Sequence, residues 1–464
     1  MTVSIVYVDR ESGNDKNTGS KRKPVKSIAA ARALMTAGAK GVRLMAGQRH
    51  TGYLSASGAG FSLTRYGKPD APNPVIDAEA KVDATIVLTS TTGAIIDSVE
   101  VCNGRTEKDT AYCISAVTAI NGARFRGLTI TGGSHGVNGF SLTGSDNLVS
   151  GSVFEDQWVD GLSMGGDGGG DGIRFDAEDC DFLRVGARNS GTGPGDGVTA
   201  HGSNCAVVAR RCRFIDCLRG ASFHINTGGP RTNLLDRCLI VAKDAASLVG
   251  QYSDGSADTG ITDVENCILI VEGSTSAQVA LMAGAGGRIT AKNSLMVNRS
   301  TGALAGNVSV RTLNAGSGAL AGSIDMRSCV SYVDAAQHAF EEPTNKYTGD
   351  KNLFFRRSSG NGFQLAGLDF AGWKSRTSED ANSVESDPQI VNWEARDESI
   401  AAMQSGSPLI NLGFEDLSED YYGKTRVGAT CGPVQYVGRG GEPLRVVRPM
   451  IVLSDLFAEE VGLV

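Results

Sequence analysis

The sequence predicts an all-β solenoid in which short strands wind once per repeat around one continuous core. Three observations lead there. The first is a repeated segment. Asp171-Gly172-Ile173-Arg174-Phe175-Asp176, Asp196-Gly197-Val198-Thr199-Ala200-His201 and Arg219-Gly220-Ala221-Ser222-Phe223-His224 begin 25 and 23 residues apart. Each sets a polar residue before a glycine and then alternates apolar and polar side chains, the period of a half-buried strand. The second is the interval: a strand recurring about every 24 residues between Gly- and Asn-rich turns marks a solenoid. The third is composition. Glycine is 61 of 464 residues, nearly twice the usual ~7%, and a tight turn at each corner uses glycine.

The elements follow in chain order. Residues 1–59 do not obey the coil pattern and read as an N-terminal cap. Within it, Pro24 to Leu34 predicts a short amphipathic helix, with proline in the first turn and good helix formers after it. A strand follows at Val42 to Gly47. A helix there would cover the first open sheet edge, which otherwise invites edge-to-edge pairing. Coils then run over 60–355. A column of small residues (Ser152, Ala187, Cys212, Cys238, Cys267, Ser294, Cys329) marks one position per coil. Two of its steps, Ser152 to Ala187 and Ser294 to Cys329, are 35 residues long. These mark insertions, one holding the glycine-rich run 165–170 and one around 300–322. From 356 to 464 the period is lost, and this C-terminal region closes the chain.

Charge and cysteine content exclude several classes. A net charge of −7 gives no bulk attraction to nucleic acid or to a membrane surface. Met1 to Asp9 has no basic leader, so no secretory signal is expected, and no run is long enough to span a bilayer. The ten cysteines include no CxxC pair, which argues against zinc and for buried free thiols.

The repeat fixes a register. Ile173, Val198 and Ala221 point inward with Phe175, Ala200 and Phe223. Arg174, Thr199 and Ser222 then point outward, as do Asp176, His201 and His224. Parallel strands lie about 4.8 Å apart, so this register stacks one carboxylate and two imidazoles on an exposed face. A carboxylate raises the proton affinity of a neighbouring imidazole, and a second imidazole opposes it. Such a group suits general acid–base chemistry near neutral pH. His50, His135 and His338 stand alone in the pattern and receive no role.

Tyr7-Val8-Asp9, Gly13-Asn14-Asp15, Gly19 and Pro24 to Ile28 resemble the N-terminal entry of right-handed parallel β-helix proteins of the pectate-lyase-like superfamily. Ser386-Asp387-Pro388, Ser405 to Asn411, and Asp420 with Gly423 and Arg426 resemble its common ending. The resemblance implies a right-handed single-stranded parallel β-helix. Among its members are polysaccharide lyases, sugar epimerases, polygalacturonase-like hydrolases and phage tailspikes, and some only bind or scaffold. Gly197 to Gly202 is similar to the stretch of mannuronan epimerases in which a histidine abstracts the sugar C5 proton. Those enzymes carry an acidic residue two before the histidine, where this chain has Thr199.

On this reading the chain is a depolymerase of an acidic bacterial exo- or capsular polysaccharide. His201 abstracts a proton beside a uronate carboxylate, helped by Asp176, His224 and Arg219, and the linked sugar is eliminated. No lysine occurs between 109 and 242 and no tyrosine between 113 and 251, so neither supplies the base from those coils. Arg219 resembles the basic residue before glycine in some β-helix pectate lyases. Because arginine keeps its proton, it is expected to clamp a substrate carboxylate. Arg174, Thr199, Ser222 and Arg231 are expected to line the substrate groove, and Trp158 to stack on a sugar ring.

Two alternatives stay open. Asp160, Asp171 and Asp196 each precede a glycine. Carboxyls on adjacent coils would lie about 5 Å apart and on alternate coils about 9.5 Å, separations used by retaining and inverting glycosidases. Hydrolysis by Asp171 and Asp196 is therefore one alternative, and a non-catalytic glycan-binding or structural solenoid is the other. No cofactor is expected, although Asp167, Asp171, Asp179 and Asp181 offer oxygens to a calcium ion. The tailspike likeness implies a homotrimer, with the apolar run Met450 to Leu453 as a contact. It also implies a virion or other non-secretory extracellular location, the cytoplasm being the alternative.

Overall fold

The computed structural model describes residues 4–434 except 104–110, 166–172, 187–194, 203–204, 226–231, 244–246, 254–259, 274–278, 285, 301–307, 314–321, 335–336, 341–345, 358–367, 414–416 and 427–429. Every paired strand within it runs parallel to its neighbours, in three stacks that wind about one core. The first stack starts at Ile5–Val8 and ends at Lys346–Asp350. The second holds Leu54–Ala59, Tyr112–Asn121, Asp160–Met164, Asp196–His201, Arg219–Ile225 and Val249–Ser253 among others. The third is a 13-stranded sheet of short strands. The expected solenoid is present, and its strand ladder begins at Ile5, inside the segment read as a cap.

Inward positions build a single long core. Phe154, Phe182 and Phe214 stack on successive coils with ring centroids 4.6 and 4.8 Å apart, and offset ring pairs of this kind add to simple burial. Helix α1 spans Ile28–Thr36, capped by Ser27, whose hydroxyl accepts the Ala30 N–H at 3.1 Å. It starts later than the sequence suggested. Val25 forms a bridge with Val8 instead of a helical turn, while Ile28 and Ala31 are buried in the core. Helix α2, Phe370–Thr377, buries Trp373 beside Tyr347 at the far end of the ladder.

The thiol column is present with one shift. The coil between Ser152 and Cys212 contributes Cys180, while Ala187, expected at that place, lies outside the described residues. Cys180, Cys212, Cys238, Cys267 and Cys329 each donate to two carbonyls, one two residues back and one on the preceding coil, at 3.3–3.6 Å. Ser294 makes the same two bonds through its hydroxyl. The column is therefore a column of hydrogen-bond donors serving a corner. Next to it Asp179, Arg211, Arg237, Asn266 and Asn293 all adopt left-handed backbone with φ of 47–54°. Each sends its N–H to a carbonyl of the following coil at 2.9–3.1 Å. All ten cysteines are buried, and none forms a disulfide.

The C-terminal segment lies along the solenoid. Leu239, Val241, Ile268, Ile270, Leu295 and Val297 turn apolar side chains outward from the third stack, and Ile390, Ile400, Leu409 and Val434 cover them. Polar anchors fasten this strap. Arg237 meets Glu419 at 2.7 Å, Arg426 reaches Asn266 at 2.8 Å, and Arg396 bridges Asp216 and Glu272. Trp393 lies flat on Tyr332 with centroids 3.6 Å apart. Among the described residues no helix is long and apolar enough to cross a membrane.

Candidate functional site

The strand that stacks before Asp196–His201 is Asp160–Met164, with Leu162 opposite Val198 and Ser163 opposite Thr199. This corrects the expected register. Ile173–Glu178 belongs to the first stack, where Asp176 stands between Leu148 and Val208. The alternation there was real, but each coil carries three strands, and the repeat had matched strands from two different stacks. Asp176 therefore does not flank His201. It pairs with Arg174 at 2.8 Å and faces Arg210 at 3.5 Å, which also takes Arg174 away from the groove.

On the second stack, the residue before each corner glycine forms a column. His135 lies opposite Asp160, and Asp196 lies opposite Arg219. Tyr112 precedes His135 by one coil. The glycines make this possible. A Cβ on Gly161 would sit 2.7 Å from the Phe182 ring, and one on Gly197 would sit 2.4 Å from Phe214. With no side chain there, the backbone bends against the core and turns the preceding polar residue outward.

The column is buried. Asp196 is 0% exposed and Asp160 3%. The Asp196 N–H donates to Asp160 Oδ1 at 3.2 Å. Arg219 Nε lies 2.7 Å from Asp196 Oδ1. Two carboxyls and one guanidinium cannot balance if both acids ionise. Burial pushes the proton affinity of both up, Asp160 to about 6 and Asp196 to about 7, with Asp160's charge adding to the rise at Asp196 and Arg219 opposing it. The pair thus holds a proton close to neutral pH. His135 Nε2 faces Asp160 Oδ2 at 3.5 Å.

A second column stands at the other end of the same strands. His201, His224 and Tyr252 stack on three coils with centroids 4.7 and 4.8 Å apart and interplanar angles of 9° and 18°. Ser222 Oγ lies 3.0 Å from His224 Nε2. Burial, with His201 and Arg219 nearby, holds the His224 imidazole down at about 3, so it is neutral at physiological pH. The Tyr252 ring folds back over Gly250, where a Cβ would be 2.6 Å from its Cε2. Burial raises its phenol, which also feels the Arg219 charge.

Between the columns lie Asn138, Ser163, Thr199 and Ser222, outward in register but at most 2% exposed. The expectation that Thr199 and Ser222 face open solvent is therefore corrected. The Asn138 amide and the Thr199 hydroxyl have no hydrogen-bond partner among the described residues. Trp158 is half-buried in the turn leading to Asp160. Asp171, Arg231 and Asp167 lie outside the described residues, as do most of both expected insertions and the Met450 run. Among the described residues no group of His, Cys, Asp or Glu is arranged to hold a metal ion. Sequence reasoning passed over His135 and Tyr252 because neither belongs to the three repeats that drew attention. The signal that would have found His135 is its place two before the inward Val137, and for Tyr252 its place three after the inward Val249, opposite His224.

No family model matches the chain, and no curated protein does. Solved structures do. XylC in complex with xylose superposes with a TM-score of 0.51 at 9% identity, covering 94% of this chain and 99% of XylC. Pectate lyase Pel9A (TM-score 0.41, 14% identity, covering 94% and 97%) and the Dettilon tailspike protein (0.43, 13%, covering 84% and 69%) are also similar. The strand ladder and the XylC superposition agree: this chain is a right-handed parallel β-helix protein.

Proposed function

We propose that this chain is a polysaccharide-degrading enzyme that cleaves a glycosidic bond by acid–base chemistry at Asp160 and Asp196. The observation that carries this reading is the stacked, buried carboxyl pair beside Arg219, whose proton affinities are raised toward neutrality. Groups of this kind cluster where proton transfer is done. One carboxyl delivers its proton to the leaving oxygen while the ionised partner bonds to the anomeric carbon, and a water that gives its proton back to the first carboxylate then displaces the sugar from the second. One coil separates them, about 4.8 Å, close to the spacing of retaining glycosidases. The Asn138 amide and Thr199 hydroxyl, buried and unpartnered, suit the hydroxyls of a sugar. XylC, which shares the fold, was solved with xylose, and a glycan is the ligand class proposed for this chain.

Elimination is the second reading, favoured by the His201–His224–Tyr252 stack, in which a neutral imidazole stands beside a phenol. A panel of neutral and acidic bacterial polysaccharides separates the two. Hydrolysis gives saturated reducing ends, whereas elimination gives products absorbing in the near ultraviolet. Absence of any cleavage across the panel would favour a glycan-binding solenoid.

A further inference from the structure

Ser115, Asn138, Ser163, Thr199 and Ser222 hold the same register position on successive coils. Two members of this row have bonds in place. The Ser163 side chain bonds to Asp160, and Ser222 Oγ lies 3.0 Å from His224 Nε2. Asn138 and Thr199 flank Ser163 on either side and are 1% and 0% exposed. Their amide nitrogen, amide oxygen and hydroxyl have no hydrogen-bond partner among the described residues. Buried polar groups are as a rule paired. Three unpaired atoms in one row, beside the acid pair, point to a ligand that supplies the partners.

The unpaired atoms also define the ligand. A carboxamide offers donors and an acceptor together, and so does a hydroxyl, whereas a carboxylate only accepts. Two adjacent sugar hydroxyls answer Asn138, one donating to Oδ1 and the other accepting from Nδ2. A carboxylate would leave Oδ1 unpaired, and its charge would be misplaced. Asn138 lies one coil from Asp160 and three coils from Arg219, about 5 and 14 Å along the stack. His135, on the same coil as Asn138, already faces Asp160. A second carboxylate here would therefore meet an acid before it met the guanidinium. We propose that Asn138 and Thr199 bind the vicinal hydroxyls of an uncharged sugar, and that Asn138 selects a neutral glycan over the uronate-bearing one expected from the sequence. This rests on the acid–base reading of Asp160 and Asp196, whose carboxyls border the bound sugar.

The first measurement needs no glycan. Thr199→Val and Asn138→Leu keep the branching of each side chain and remove its polar atoms. With no bond in the fold to lose, each variant should hold the melting temperature of the full chain or raise it by about 1–2 °C. A clear fall in Thr199→Val overturns the proposal. The second measurement is calorimetric titration with a panel of neutral polysaccharides and of hyaluronan, mannuronan and polygalacturonate. Each acidic member is also presented after carboxyl reduction, which turns the uronate into the neutral hexose and keeps the linkage. Neutral or reduced members should bind roughly tenfold more tightly than uronate forms, and each variant should weaken that binding by roughly 2- to 10-fold, the loss of one hydrogen bond. Tighter binding of a uronate form, unchanged affinity in both variants, or no binding across the panel overturns the proposal. If Asn138→Leu does not fold, Asn138→Ala takes its place in the titration. Binding that the variants weaken, without cleavage, would remove the proposed enzyme and keep the sugar site. Cleavage of a uronate glycan that stops in Asp196→Asn would keep the acid–base reading and remove the neutral selection alone.

Discussion

Two ladders of stacked side chains run along this solenoid, and they behave oppositely. In the thiol column, Cys180, Cys212, Cys238 and Cys267 repeat the same group on successive coils, each donating to two backbone carbonyls. A neutral donor repeated every coil meets no repulsion, because its partners are backbone atoms that repeat with it. Burial raises the Cys180, Cys212 and Cys238 thiols far above their usual range, which keeps them protonated and inert. In the His135, Asp160, Asp196, Arg219 column the groups change from coil to coil. Two like acids adjoin there, and the conflict between them leaves a proton in play near neutrality. A parallel solenoid can repeat a neutral group indefinitely, but a repeated charge becomes reactive.

The largest expected effect breaks the second ladder. Asp160→Asn and Asp196→Asn should each lower cleavage of the responsive glycan by ~10²–10⁴, the usual worth of a general acid or base. His201→Ala should cost less than either. Dead His201→Ala with active aspartate variants, and unsaturated products, would transfer the chemistry to the imidazole stack.

Next comes the thiol ladder. Cys212→Val removes a donor to the Ala177 and Arg210 carbonyls, of which Arg210 keeps the Asp179 N–H, and should destabilise the fold by about 0.5–1.5 kcal/mol, the net worth of one buried hydrogen bond. Cys212→Ser should cost less, because serine already fills this position as Ser294. Equal losses in chemical denaturation would show that volume, not hydrogen bonding, governs the column.

A smaller effect is the pH dependence of stability. An unfolded aspartate releases its proton near 3.8, whereas the folded pair retains it to about 6 and 7. The folded state therefore binds more protons between these values. The pair's contribution to stability is full below about 3.8 and falls as pH rises through 6 and 7. The stability of wild type minus that of Asp160→Asn should decline between pH 4 and 8, and a flat difference would refute the shared proton. His224 has the opposite sign. It is neutral when folded down to about 3 but protonates at 6.5 when unfolded, so its contribution is lost as pH falls from 6.5 toward 3. Replacing it with glutamine should remove that loss.

The smallest signal is in native thiol labelling. All ten cysteines are buried, so reagents should react only after unfolding, and rapid labelling of the folded chain would contradict the column.

Most of the architecture was legible because the strand period, the corner glycines at 161, 197 and 220 and the small-residue column are local patterns imposed by a repeating core. The site was legible only in part. His201 opposite His224 and Asp196 opposite Arg219 follow from two adjacent repeats and are present. Asp176 was misplaced because first-stack and second-stack strands share the same alternation, and nothing in one sequence labels the stack. Asp160 was noticed as Asp-Gly, yet the partner chosen for Asp196 was Asp171. The buried state of Thr199 and Ser222 was also hidden, since alternation shows which way a side chain points, not whether water reaches it.

The strap formed by the C-terminal segment has a mechanical consequence. In a bare solenoid each coil touches only its neighbours, so either end can fray and unwinding spreads inward. Here Arg396, Glu419 and Arg426 tie the later segment to Asp216, Arg237 and Asn266, at least 150 residues earlier in the chain. The coils beneath cannot peel away one at a time until those ties are released together. One half of the rod therefore behaves like a zipper with its slider fixed. Under load or heat, unravelling should start from the unstrapped coils near Ile5–Val8 and stall where the strap begins.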